Sequence, residues 1–167
     1  MRTGQVLFNT LFIYLAKHNN HQMFMQEALN QAYIARKLNE VPVGAVVVSD
    51  SEIIAVGYNQ NIKTNSVVNH AEIIAINNAS RVLKNYRLVN CDMYVTLEPC
   101  HMCAKAIIDA RIRNLYFGAL EPKTGSIISI DSFLDKKFLN HHVKYEHGIL
   151  AKESSQLLKS FFASKRI

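Results

Sequence analysis

The feature that most constrains the fold is a strand-helix-strand run in the middle of the chain. "MYVTLE" from Met93 and "NLYFGA" from Asn114 are rich in β-branched and aromatic residues, and the stretch between them, from about His101 to Ala110, is apolar at helical spacing. Strands that alternate with helices of about ten residues imply a layered sheet with a parallel portion. The expected fold class is therefore α/β.

The flanking segments fit the same plan. Met25, Ala28, Leu29, Ala32 and Ala35 recur at helical spacing, and "EVPVG" then stops that helix with a proline and a glycine. "AVVVS" and "IIAVGY", joined by Asp50, Ser51 and Glu52, read as a hairpin. A polar loop from Asn59 to Asn69 leads into an apolar helix from about His70 to Leu83. The tail closes with a strand around His142 to Glu146 and a helix in which Leu150, Ser154, Leu157, Leu158 and Phe161 share a face. No internal repeat, low-complexity tract or second domain interrupts this order.

With 167 residues and 49% apolar side chains, the chain can bury a core without disulfide staples. Its three cysteines are an odd number in a chain too large for the small disulfide-framework class. That favours metal or redox chemistry in a reducing compartment, so a cytoplasmic location is expected. Nineteen Lys plus Arg against thirteen Asp plus Glu give a net charge of +6, which suits an anionic partner such as RNA. The apolar run from Val6 to Ala16 is broken by Asn9 and Thr10 and is too short to span a bilayer. Residues 1–22 are expected to be an extension outside a domain of residues 23–167, and Met23 would serve well as a translation start.

The chemistry concentrates at Cys100 and Cys103, a pair in PCxxC spacing that opens a helix directly after a strand. The free amides at a helix start favour thiolate over thiol, and two thiolates make half of a tetrahedral zinc site. A closed structural site would need a second close pair of Cys or His, and Cys91 stands alone as a small buried residue. Instead "NHAEIIAI" supplies His70 and Glu72 as H-x-E where the polar loop becomes a helix. His70, Cys100 and Cys103 are then three ligands that leave one coordination position for water, as catalytic zinc requires. The metal would bring the bound water's pKa to about 7, and Glu72 would carry its proton to a substrate nitrogen and on to a leaving amine. His101 sits beside Cys100 but points elsewhere on the helix, so it is expected to be a wall or surface residue and not a ligand.

H-x-E followed by P-C-x-x-C is the known signature of zinc nucleobase deaminases, and the hydrolytic mechanism is taken from that class. The likeness extends well past the metal motif. "EVPVGAVVV", "GYNQNI", "NHAEIIAI", "NYRL", "YVTLEPCHMCAKAI", "YFGALEPKTGS", "LNHHVKYEHGIL" and "LLKSFFASKRI" resemble, in order, the bacterial tRNA-specific adenosine deaminases, over Met23 to Ile167. The resemblance implies a cytidine-deaminase-like three-layer α/β/α sandwich with a mixed sheet of about five strands. It implies a homodimer with one zinc per subunit, converting the wobble adenosine of a tRNA anticodon to inosine, with an arginine tRNA as the expected substrate. It also places Asn59 at the base pocket and makes Val43, Leu97 and Pro99 its apolar walls.

Further positions complete the expectations. Glu121 stands where an aspartate is frequent, which adds one methylene to a loop expected near the RNA backbone, and His101 and Lys105 also depart from the usual pattern. His141 and His142 read either as RNA contacts or as a solvated strand entry. Phe161 and Phe162 read mostly as core aromatics, with Phe162 the one that stacks near substrate, while Lys165 and Arg166 could meet phosphates. Two rival readings share part of this signal. A free-base or nucleoside deaminase shares the metal motif but does not require "NYRL", the C-terminal "FFASKRI" or the +6 charge; a non-enzymatic zinc or RNA-binding module leaves Glu72 and the open position without a purpose.

Overall fold

The computed structural model describes residues 3–166, with side chains from residue 20 onward. Most of the expected extension, residues 1–22, therefore lies outside the residues whose side chains are described. Helix α1 (Thr3–Lys37) passes through Met23 without a break, and His21 near its middle lies 2.7 Å from the Tyr94 hydroxyl. Among the described residues no helix is long and apolar enough to cross a membrane.

Five strands form one mixed sheet in the order β2-β1-β3-β4-β5. These are β1 (Gly44–Ser49), β2 (Glu52–Tyr58), β3 (Asp92–Leu97), β4 (Asn114–Ala119) and β5 (Lys144–His147). The expected hairpin is β1 and β2, and both central residues of its turn, Asp50 and Ser51, take the positive φ that a two-residue hairpin turn requires (49° and 66°). β1 is antiparallel to both β2 and β3, whereas β3–β4 and β4–β5 are parallel.

Helices cover both faces, as the alternation of side chains along the strands demands. Val46 and Val48 of β1 and Tyr94 of β3 pack with Phe24, Met25 and Ala28 of α1. Leu157 of α5 (Ala151–Ala163) meets Leu29 and Ala32 of α1 on that same face. The opposite residues, Ala45, Val47, Met93, Val95, Leu115 and Phe117, pack against α3 (Ala71–Leu83) and α4 (His101–Asp109) through Ala71, Ala75, Ala104 and Ile107. The result is the three-layer α/β/α sandwich.

The strand directions decide where the site forms. Because β2 and β3 are both antiparallel to β1, they point the same way, so the segments that leave them emerge at the same end of the sheet. α3 and α4 both begin at that end. Gly57 of β2 sits under the first turn of α3, where any Cβ would collide with the Ala71 carbonyl, so the helix start rests directly on the sheet.

Two elements depart from the sequence expectation. The polar loop holds a one-turn helix, α2 (Asn61–Thr64), and Phe133–Asp135 form a 3-10 turn. A helix that short does not form by itself. The buried Glu40 carboxylate accepts hydrogen bonds from the Ile62 and Lys63 amides at 3.1 and 2.7 Å, which satisfies the free start of α2 from outside.

Candidate metal centre and base pocket

His70 is the N-cap residue of α3 and Cys100 the N-cap residue of α4, both in extended backbone conformation. The shared end of the sheet thus brings together two residues 30 positions apart in the chain, and the first turn of α4 adds Cys103. His70 Nδ1 lies 3.8 Å from Cys100 Sγ and 3.5 Å from Cys103 Sγ, and the three donor atoms fall within 4.8 Å of one another. Zinc bonds of about 2.3 Å to sulfur and about 2.0 Å to nitrogen, at a tetrahedral angle, put such donors about 3.6 Å apart. Two sulfurs and one imidazole nitrogen at these separations fit zinc.

The electrostatics agree with that donor set. A hydrogen bond from the Cys103 thiol pulls the Cys100 pKa down, and the His70 ring adds to the effect against the opposing cost of burial. The hydrogen bond to Cys100 raises His70. Cys103, more deeply buried, is pushed up by the same bond to Cys100, and a cation held there would displace its proton. Glu72, in the first turn of α3, is buried beside these groups, and its carboxyl is raised above the ordinary range chiefly by that burial. Burial of a carboxyl beside a metal donor set is an arrangement that suits general acid–base work.

These groups face a cavity of about 300 Å³. His70, Glu72 and Cys100 line it together with Asn59, Val43 and Leu97. Asn59 has a second task, because its Oδ1 accepts the Ala71 N–H at 2.8 Å and so caps the first turn of α3. That orientation leaves Nδ2 as the donor available to a ligand.

The other expected site residues lie elsewhere. Pro99 is not in the pocket lining; its carbonyl accepts both the amide and the hydroxyl of Ser126, at 2.9 and 3.1 Å, from a loop beside the metal segment. Phe162 lines a neighbouring cleft of about 570 Å³ that shares Leu97 and Glu121 with the pocket, and Phe161 is buried beneath it. His141 lies outside the base pocket, 2.7 Å from the Ile112 carbonyl, in a separate cleft with Arg111 and Lys144. β5 runs parallel to β4 with Lys144 opposite Asn114, so the segment that enters β5 lies at the starts of the strands, the end remote from the metal cluster. His101 pairs with Asp131 at 3.0 Å, away from the cluster, and Lys105 pairs with Asp109.

Two buried carboxylates at the pocket were not singled out in the sequence. Glu40 holds the wall formed by α2. Glu98 accepts the amides of Glu121, Ile127, Ile128 and Ser129 at 2.7–3.0 Å, and the Ser129 hydroxyl as well. Burial alone would raise the Glu98 carboxyl, but these bonds, led by Ser129, hold it below the usual range. The only sequence signal for either is a carboxylate placed against apolar neighbours at the edge of a strand or loop.

Known proteins share this arrangement. A tRNA-specific adenosine deaminase of Haemophilus influenzae is 47% identical over 146 residues, covering 87% of this chain and 84% of that one. One from Rickettsia bellii is 44% identical over 85% of this chain and 99% of its own. A solved structure from a study of A-to-I editing by tRNA:A34 deaminases at the wobble position of transfer RNA superposes with a TM-score of 0.80 at 43% identity, over 81% of this chain and 99% of that chain. The sequence model described as the cytidine and deoxycytidylate deaminase zinc-binding region matches residues 18–119. With its metal donors, buried glutamate and five-stranded sheet arranged as above, the chain belongs to the family of zinc-binding cytidine and deoxycytidylate deaminases.

Proposed function

We propose that this chain, a zinc-dependent hydrolytic deaminase, converts the wobble adenosine of a tRNA anticodon to inosine. The observation that carries the reading is the buried Glu72 set beside a three-donor metal cluster in a base-sized pocket, next to a cleft lined by basic side chains. The relatives named above carry the substrate assignment.

His70, Cys100 and Cys103 would hold zinc, which when bound would supply an activated water with a pKa of about 7. Glu72 would take a proton from the attacking water and deliver it to N1 of the purine as the C6–O bond forms. It would then pass the second proton to the exocyclic nitrogen as the C6–N bond breaks, so that adenosine and water become inosine and ammonia. Asn59 donates from Nδ2 to the purine N7, an acceptor on the base edge. Val43 and Leu97 flank the base and exclude water.

A stacked base cannot reach the metal, so the anticodon loop must splay its first nucleotide into the pocket, which single-stranded loops do cheaply. The neighbouring cleft would take the adjoining backbone, with Phe162 offering a stacking face and Lys123, Lys159 and Arg166 their charge. The net charge of +6 supports RNA binding. By the same resemblance the enzyme acts as a cytoplasmic homodimer on an arginine tRNA.

The test is inosine formation, read as an A-to-G change on sequencing, in an arginine tRNA with an adenosine-led anticodon. Free adenosine, cytidine and guanine run beside it, with a Glu72→Ala control. Wobble conversion absent from the control is the expected result. Conversion of a free base or nucleoside alone would move the enzyme to the small-molecule branch of its family.

A further inference from the structure

The mechanism above uses one of the buried carboxylates that line the pocket and leaves Glu98 without a task. Glu98 is 3% exposed at the end of β3, two residues before Cys100. Its Oε1 accepts the amides of Ile127, Ile128 and Ser129, and its Oε2 accepts the amide of Glu121 and the Ser129 hydroxyl. Both ends of one loop, Glu121 and Ser129, therefore converge on a single side chain. That loop contributes Glu121 and Thr124 to the pocket lining.

The same loop is tied to the metal segment at two further points. Ser126 donates twice to the Pro99 carbonyl, and Gly125 forms an antiparallel bridge with Cys100 itself. Gly125 is glycine for a physical reason, since a Cβ there would collide with the Glu98 carboxylate. Loop, carboxylate and metal ligand are packed as one body.

Resting on the function proposed above, we propose that Glu98 is the positioning residue that registers the Glu121–Ser129 wall of the base pocket against the metal centre. It touches neither the metal nor the reacting atoms. Its charge accepts converging N–H donors that no neutral side chain of the same size satisfies, because an amide would turn donors toward donors. Freed from this anchor, the wall shifts relative to Cys100 and the base sits at the wrong place over the activated water. Displacement of about 1 Å costs about 100-fold in rate, and it is felt in kcat, while binding in the neighbouring cleft sustains KM.

The experiment compares Glu98→Gln, Glu98→Asp, Gly125→Ala and the Glu98→Gln/Gly125→Ala double variant with the wild-type zinc enzyme. Zinc content, thermal midpoint, kcat and KM on the tRNA, and hydrogen exchange of residues 121–129 are read for each. Glu98→Gln is expected to keep its zinc and to lose about 10- to 100-fold in kcat with KM within about 3-fold of wild type, and Glu98→Asp to recover part of the loss. Gly125→Ala acts on the same contact, so the double variant is expected to be no worse than the poorer single one. Should Glu98→Gln fail to fold, Gly125→Ala carries the same kcat prediction.

Wild-type kcat in either folded variant, or additive losses in the double, would overturn the proposal. Hydrogen exchange separates this failure from failure of the functional reading. If the wild type leaves tRNA unchanged, the function is wrong, yet faster exchange at Ile127, Ile128 and Ser129 in Glu98→Gln still supports the anchor, and unchanged exchange overturns it.

Discussion

The base pocket and the cleft beside it share Leu97 and Glu121 yet are opposite in charge. The pocket is lined by Glu40, Glu72, Glu98 and Glu121 and by no lysine or arginine, whereas the cleft carries Lys123, Lys159 and Arg166. Three of the four pocket carboxylates are buried, and two of these are held by backbone amides. On the function proposed above, phosphate would be repelled from the pocket and attracted to the cleft, so that the two regions would divide a nucleotide between them. An uncharged base would enter the acidic site while the polyanion to which it is attached stays outside. Such a division would separate what sets the rate from what sets the affinity.

The largest break in the comparison comes from the metal. Cys103→Ser or His70→Ala is expected to lose zinc and all turnover, as metal analysis and inosine assays would show, while RNA binding to the cleft persists. Next comes Glu72→Gln, with a fall in kcat of at least about 1,000-fold at unchanged zinc content. A variant that still formed inosine at near wild-type rate would remove Glu72 from the chemistry.

Asn59→Asp keeps an acceptor for the Ala71 amide but replaces the donor with a charge, in a pocket already rich in anions. It should lower kcat/KM about 10- to 100-fold, since the donor to the base is lost. In the cleft the effect moves to KM. Base–aromatic stacking is worth about 1–3 kcal/mol, so Phe162→Ala should raise KM about 10-fold with kcat unchanged; a fall in kcat alone would place Phe162 with the pocket instead. The smallest effects belong to Lys159→Gln and Arg166→Gln. Each should reduce the slope of log affinity against log salt by about 0.7 if it meets one phosphate of a single strand, as a binding titration at several salt concentrations would show.

Much of this was legible in the chain itself, for reasons that differ by residue. The apolar periodicities predicted α3, α4, α5 and all five strands within a few residues, because each buries a regular face. H-x-E and PCxxC identified the donor set because zinc dictates both residue types and number. α2 escaped, since "NIKT" has no apolar face and its start is satisfied by Glu40, more than twenty positions earlier in the chain.

Glu98 escaped for a similar reason. Its partners are backbone amides 23–31 residues away, and an amide leaves no mark on the sequence. His141 is a different case. The sequence left it either an RNA contact or a strand entry, and only the parallel pairing of β4 and β5 reveals which end of the sheet it occupies.

The most direct test of the account compares kcat/KM of the zinc-loaded enzyme for an anticodon stem-loop and for free adenosine under one set of conditions, with the position of inosine mapped. If the cleft contributes binding that the pocket's chemistry requires, inosine forms at the first anticodon position alone, and free adenosine reacts at least about 1,000-fold less efficiently. Equal or faster turnover of the free nucleoside, or inosine spread along the loop, would contradict the division of labour between pocket and cleft.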